Sequence, residues 1–178
     1  MKAQAPAAAW QPARHGQDDW LSQIPGQHRF VFDTTTPDGF SNALLYASNY
    51  FTGNQSGYGL KDEDLALLIV ARHNSTQQAY NAAMWTQYRR EFAAAAGAAE
   101  LPDLTERLNA LLKRGVHLAV CQMATRRIAG SIAKSTGGNQ DRIYDELAAN
   151  LAANGHLVPA GIVAVNRAQE RGYSLANA

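Results

Sequence analysis

The sequence predicts an α/β domain built on a mostly parallel, five-stranded sheet flanked by helices, and three observations predict it. Short runs rich in β-formers alternate along the chain with stretches whose apolar residues recur at helical spacing. One run, residues 65–70, is apolar without a break, as suits a strand covered by helices on both faces. Another, residues 116–121, passes into helical character almost at once, as strands do where loops open onto the edge of a parallel sheet.

Residues 1–27 read as a flexible tail punctuated by Pro12, Gly16, Pro25 and Gly26, with Trp10 and Trp20 available to anchor it. Residues 28–178 form the single domain. Its first strand is residues 29–33, followed by a Thr/Pro/Gly loop. A helix over 40–51 carries Phe40, Ala43, Leu44, Ala47 and Phe51 on one side, and the three glycines within 52–59 predict a loop. After the second strand, Asn74 or Ser75 caps a helix bearing Tyr80, Met84, Trp85 and Tyr88. The Ala-rich stretch 93–99 reads as a frayed end or loop. A helix over 103–113 stops at Gly115. The third strand is 116–121, followed by helices over 122–134 and 141–153. A fourth strand at 156–158 precedes a last helix running to Gly172, and residues 173–175 read as the terminal strand.

The totals exclude several function classes. A chain of 178 residues buries a core without disulfides or structural metals. Its formal net charge of +1, with 17% charged residues, offers no electrostatic footprint for nucleic acid or an anionic membrane. No stretch approaches the roughly 20 apolar residues that span a bilayer. One cysteine excludes an internal disulfide and any multi-cysteine metal site. The glycines at 53, 57 and 59 make no phosphate loop, Gly137-Gly138 makes no dinucleotide fingerprint, and HExxH is absent. No cofactor and no metal are expected.

The chemistry-bearing residue is Cys121, last in its strand and first before a helix. A helix N-terminus favours a thiolate there, and Arg126 and Arg127, about a turn and a half on, add positive charge or bind an anion. The competing reading is packing, since a free cysteine is among the most buried residue types. His73 and Asn74 follow the second strand and Asp33 ends the first, so all three open onto the same edge of the sheet. His73 suits a base, an anion ligand or a proton shuttle; Asp33 and Asn74 line the pocket or cap a helix. His117 lies four residues before Cys121, roughly 13 Å away by strand rise, too far to activate the thiol. The Tyr80–Tyr88 stripe reads as core or subunit interface.

The stretch Leu112-Lys-Arg-Gly-Val-His-Leu-Ala-Val-Cys121, with Arg126-Arg127 beyond it, resembles the active-cysteine segment of the DsrE/DsrF/TusD sulfur-relay family. Leu157-Val-Pro-Ala-Gly-Ile-Val, running on to Arg171-Gly-Tyr173, is similar to the ending of DsrE-like proteins, and Phe30-Val-Phe-Asp-Thr-Thr35 is a weaker third match. The resemblance implies a layered domain assembled as trimers or hexamers, with Cys121 as the persulfide-bearing position. The segments 52–64 and 89–101 look longer than in the small cytosolic members. The Ala/Pro-rich leader at 2–10 is similar to that of exported DsrE-like proteins and favours the periplasm over the cytosol. The expected function is a sulfur carrier that takes sulfane sulfur on Cys121 from a donor and hands it to a partner protein's thiol. The alternatives are a non-catalytic oligomeric module binding a small anion or a protein, and a structural role with Cys121 buried in an interface.

Overall fold

The computed structural model describes residues 10–178. Its centre is a five-stranded, all-parallel sheet in the order β4-β3-β2-β1-β5. The strands are β1 (His28–Thr34), β2 (Leu65–Ala71), β3 (His117–Cys121), β4 (Gly155–Val158) and β5 (Ser174–Asn177). The helices are α1 (Trp20–Gln23), α2 (Pro37–Tyr58), α3 (Ala82–Ala96), α4 (Thr105–Leu112), α5 (Gln122–Thr136), α6 (Gln140–Ala149) and α7 (Gly161–Gln169). The chain steps from β1 through to β4 in one direction, then α7 carries it back across the sheet to β5 beside β1.

Every residue of β2 is buried, and its side chains alternate between two cores. Leu67, Ile69 and Ala71 join Phe40, Leu44 and Phe51 of α2 and Leu108, Leu111 and Leu112 of α4. On the opposite face, Ala66, Leu68 and Val70 join Leu21 and Ile24 and Ala164, Val165 and Ala168 of α7. An unbroken apolar run is what a strand clad on both faces requires. A third cluster joins Tyr80, Trp85 and Phe92 to Ile128 and Ile132 of α5 and Leu147 of α6.

Four local readings are corrected. Residues 52–58 continue α2 rather than forming a loop, and the helix ends at Gly59, whose φ of 67° supplies the left-handed cap. Gly53 and Gly57 each cost about 1 kcal/mol in a helix interior, and the burial of α2 from Phe40 to Phe51 outweighs that. Neither Asn74 nor Ser75 caps α3: residues 73–79 form a 3-10 helix, at whose start Ser75 Oγ accepts from the Arg72 N–H, and Asn81 caps α3 by accepting from the Met84 N–H. The Ala-rich stretch stays helical to Ala96, where Gly97 closes it. The tail docks from residue 16 onward, because Leu21 and Ile24 are buried against the sheet and Trp20 stacks on His156 at 3.8 Å. The leader reading at 2–10 falls outside the described residues except for Trp10, which is exposed.

His117 Nδ1 lies 3.0 Å from His156 Nε2, with Trp20 over the second ring, so His117 is a structural histidine. Burial, with the neighbouring His117 adding to it, pushes His156 down to about 4, and burial lowers His117 as well. The unfolded chain therefore takes up these protons first. Stability is full above the ordinary histidine value of 6.5 and is lost as pH falls from there towards 4. Urea unfolding at steps across this range should show the decline, and His156→Phe should flatten it. In the core, Phe51 is fully buried, and Phe51→Ala should cost about 3–5 kcal/mol in the same assay.

Candidate functional site

In a parallel sheet, a crevice opens where neighbouring strands send their connections to different sides. That happens between β3 and β4: β3 runs into α5, which packs in the third cluster, while β4 runs into α7 on the sheet face it shares with α1. The crevice is a cleft of about 290 Å³. Its floor and walls come from three strand ends: Arg72 and His73 after β2, Cys121 and Met123 at β3, and Gly161 and Ile162 after β4.

Cys121 is 7% exposed and is the residue immediately before α5, with no side chain capping that helix. The N-terminus of α7, preceded by Ala160, is likewise uncapped by a side chain. Elsewhere Thr36, Asn81 and Asn139 cap α2, α3 and α6. Two helix ends with free N–H groups thus meet at the cleft, and both favour negative charge. Met123, 68% exposed, and Ile162, 58% exposed, form an apolar rim.

The backbone of Cys121 is held from below. Thr125 Oγ donates to the Cys121 carbonyl at 3.0 Å, and the Tyr80 hydroxyl donates to Thr125 Oγ at 2.9 Å. Burial pushes the Tyr80 phenol far above its ordinary range, so it remains a donor. The aromatic stripe read as core contains this supporting hydroxyl, and periodicity carries no sign of it.

Of the residues expected at the site, Cys121, His73 and Arg127 line the cleft. His73 is exposed and adopts φ 53°, in the left-handed region that non-glycine residues rarely occupy. Arg127 reaches across to donate to the Ala95 and His73 carbonyls and to Asn74 Oδ1. Asn74 also donates to the Ala96 carbonyl at 3.2 Å. Asn74 is therefore a strut between the loop after β2 and the end of α3, rather than a pocket wall or a cap.

Arg126 is a correction. Its guanidinium lies 4.0 Å over the Tyr144 ring of α6, where a cation is drawn to the aromatic face, and it takes no part in the cleft. Asp33 is another: it neither caps a helix nor stands free. Its two carboxylate oxygens accept from Arg72 Nε and Nη2 at 2.7 Å each. Arg72 was not singled out by sequence reasoning. It directly follows β2, the one available signal, but its neighbour across the sheet depends on register. Ala71 pairs with Val120, which sets Arg72 level with Cys121.

Among the described residues, no group of three or more His, Cys, Asp or Glu could hold a metal ion, and no helix is long and apolar enough to cross a membrane.

A thiol at the bottom of an open cleft should react with a small alkylating reagent in the native protein, and Cys121 should be modified fully under native conditions. Labelling that appears only after denaturation would instead place the thiol in a subunit interface. Tyr80→Phe should lower stability by about 1 kcal/mol in urea unfolding, through loss of one buried hydrogen bond.

No family model matches the chain, and no curated protein matches it. Among solved structures it is similar to that of MTH1491 from Methanobacterium thermoautotrophicum, a protein of unknown function. The match has 16% identity and a TM-score of 0.49, and it covers 85% of this chain and all of the other.

Proposed function

We propose that the protein is a sulfur carrier: Cys121 takes up a sulfane sulfur as a persulfide and passes it to a partner thiol. The observation that carries this reading is the position of Cys121, a thiol in an open cleft at the C-terminal edge of the sheet, where two helix N-termini without side-chain caps converge. A thiolate is the nucleophilic form of cysteine, and free N–H groups at helix N-termini are donors for the anions it would react with. The resemblance of the segments around Cys121 and Gly161 to DsrE-like proteins supports the same chemistry. Assembly as a trimer or hexamer and an exported location belong to this proposal and rest on the same resemblance.

With thiosulfate as donor, the Cys121 thiolate attacks the outer sulfur. A bond forms between Sγ and that sulfur, and the S–S bond of the donor breaks, its electron pair leaving with sulfite. In the second half, a partner thiolate attacks the terminal sulfur. The Sγ–S bond breaks and its electron pair returns to Cys121 as thiolate. No external oxidant or reductant is required.

The second reading, a module that binds a small anion without transfer, is favoured by Arg127 at the cleft and by the two helix ends. It expects Cys121→Ala to keep full affinity for the anion.

Incubation with polysulfide or thiosulfate should add the mass of one sulfur atom to the intact protein, removable by reductant and absent from Cys121→Ser. Sulfur retained by Cys121→Ser would overturn the proposal. A native protein that gains no sulfur while Cys121 alkylates readily would favour the binding module.

A further inference from the structure

We infer that Arg72 is the specificity-determining residue of the cleft, its Nη1 donating to a negatively charged group on whatever reacts at Cys121, with Asp33 and Gly161 as the residues that position it. This deepens the reading of Cys121 as the reacting thiol and rests on it.

Asp33 engages Arg72 side-on, through Nε and Nη2. A guanidinium is planar and carries five N–H donors, so this pairing leaves Nη1, which has no hydrogen-bond partner among the described residues. The carboxylate is itself well fixed, being 6% exposed. The backbone beneath Arg72 is fixed too. Ser75 Oγ accepts from the Arg72 N–H at 3.0 Å and lies 2.9 Å from buried Thr34 Oγ.

Gly161 shapes the other side. A Cβ at Gly161 would stand 2.6 Å from Arg72 Cβ and 3.0 Å from its Cδ. The aliphatic stem of Arg72 therefore occupies the space a side chain would need at the first residue of α7. Gripped at its head and confined along its stem, Arg72 keeps one orientation, at the wall of the cleft and level with Cys121 in the register.

The charge balance determines what such an arginine can do. Asp33 neutralises Arg72 at long range, so the pair adds little to the attraction of distant anions. At contact, Nη1 still offers two N–H groups on a partly buried cation, and charge-assisted hydrogen bonds of that kind are the strong ones. The long-range attraction falls to Arg127, which pairs with no carboxylate among the described residues and is tied to carbonyls and an amide. The ligand class is a small anion whose charge lies beside its reactive atom. Lysine would not substitute for Arg72, because it cannot hold Asp33 with two nitrogens and keep a third free.

The test compares two alkylating reagents of similar size, anionic iodoacetate and neutral iodoacetamide, by their rates at Cys121. Both consume the same thiolate, so an effect of any variant on the thiolate fraction cancels in the ratio. Arg72→Gln should lower the iodoacetate-to-iodoacetamide ratio about tenfold, the loss of one charge-assisted hydrogen bond. Gly161→Ala, which keeps both charges and displaces only the arginine stem, should lower it severalfold. The double variant Asp33→Asn with Arg72→Gln leaves no unpaired carboxylate to repel iodoacetate, so its ratio should still fall below that of the native protein, though less than in Arg72→Gln, and it covers the case that the single variant folds poorly. Arg126→Gln should leave the ratio unchanged.

An unchanged ratio in folded Arg72→Gln or in the double variant, or an equal fall in Arg126→Gln, would overturn the assignment. The ratio is read without any sulfur donor. A protein that takes no sulfur yet shows the Arg72-dependent preference loses the carrier proposal and keeps this one.

Discussion

The register of β2 between β1 and β3 is the constraint from which the open edge of the sheet follows. Pairing Asp33 with Val70 across one side and Ala71 with Val120 across the other brings the ends of three strands level. The residue after β2 then lies beside the last residue of β3, and Asp33 is within reach of Arg72. Adjacent parallel strands stand about 4.8 Å apart, so no loop rearrangement is needed to gather these side chains. A slip of one residue would turn Leu67 and Ile69 towards α7 and carry Arg72 away from Cys121. The same packing that forces β2 into this register, with alternate side chains committed to two different cores, thus sets the geometry of the cleft.

The ion pair between Asp33 and Arg72 turns that register into a fixed shape. An exposed salt bridge contributes little to stability, and a buried one is no firm stabiliser either. What a bidentate pair of this kind supplies is direction. Its hydrogen bonds to Asp33 raise the Arg72 pKa further, so the guanidinium stays charged throughout the working range. Gly161 contributes by omission, since the missing side chain is the space in which the arginine stem lies.

The cleft combines a largely apolar lining, with Met123, Ala124 and Ile162, and a few polar groups from Arg72, His73 and Arg127. Met123 and Ile162 stand exposed at its mouth, while the helix N-termini and Arg127 supply N–H donors and a cation beside Cys121. Support from Thr125 and Tyr80 beneath the Cys121 carbonyl keeps the start of α5 from fraying, and the free N–H groups of its first turn keep their direction.

Much of the fold was legible in the chain alone. Continuous apolar character over 65–70 can be satisfied only by burial on both faces, and alternation of such runs with helical periods leads to a parallel sheet. The position of Cys121 at a strand end, and hence at the edge where sites form, follows from the same reading. Local boundaries were less legible where tertiary burial overrode propensity. Two glycines did not end α2, because Phe40 to Phe51 had already anchored it, and residues that look like tail were docked by Leu21, Ile24 and Trp20. Within the site, sequence order alone cannot tell Arg126 from Arg127, which leave α5 in directions about 100° apart; packing against Tyr144 removes one and the loop after β2 takes the other. Arg72 became a site residue only through strand register, and Gly161 only because another side chain crosses it. Sequence by itself determined the elements, their layering and the place of the thiol, since these depend on local pattern and on burial. The tertiary structure alone decided which charges face that thiol, because the pairings that aim them join residues tens of positions apart.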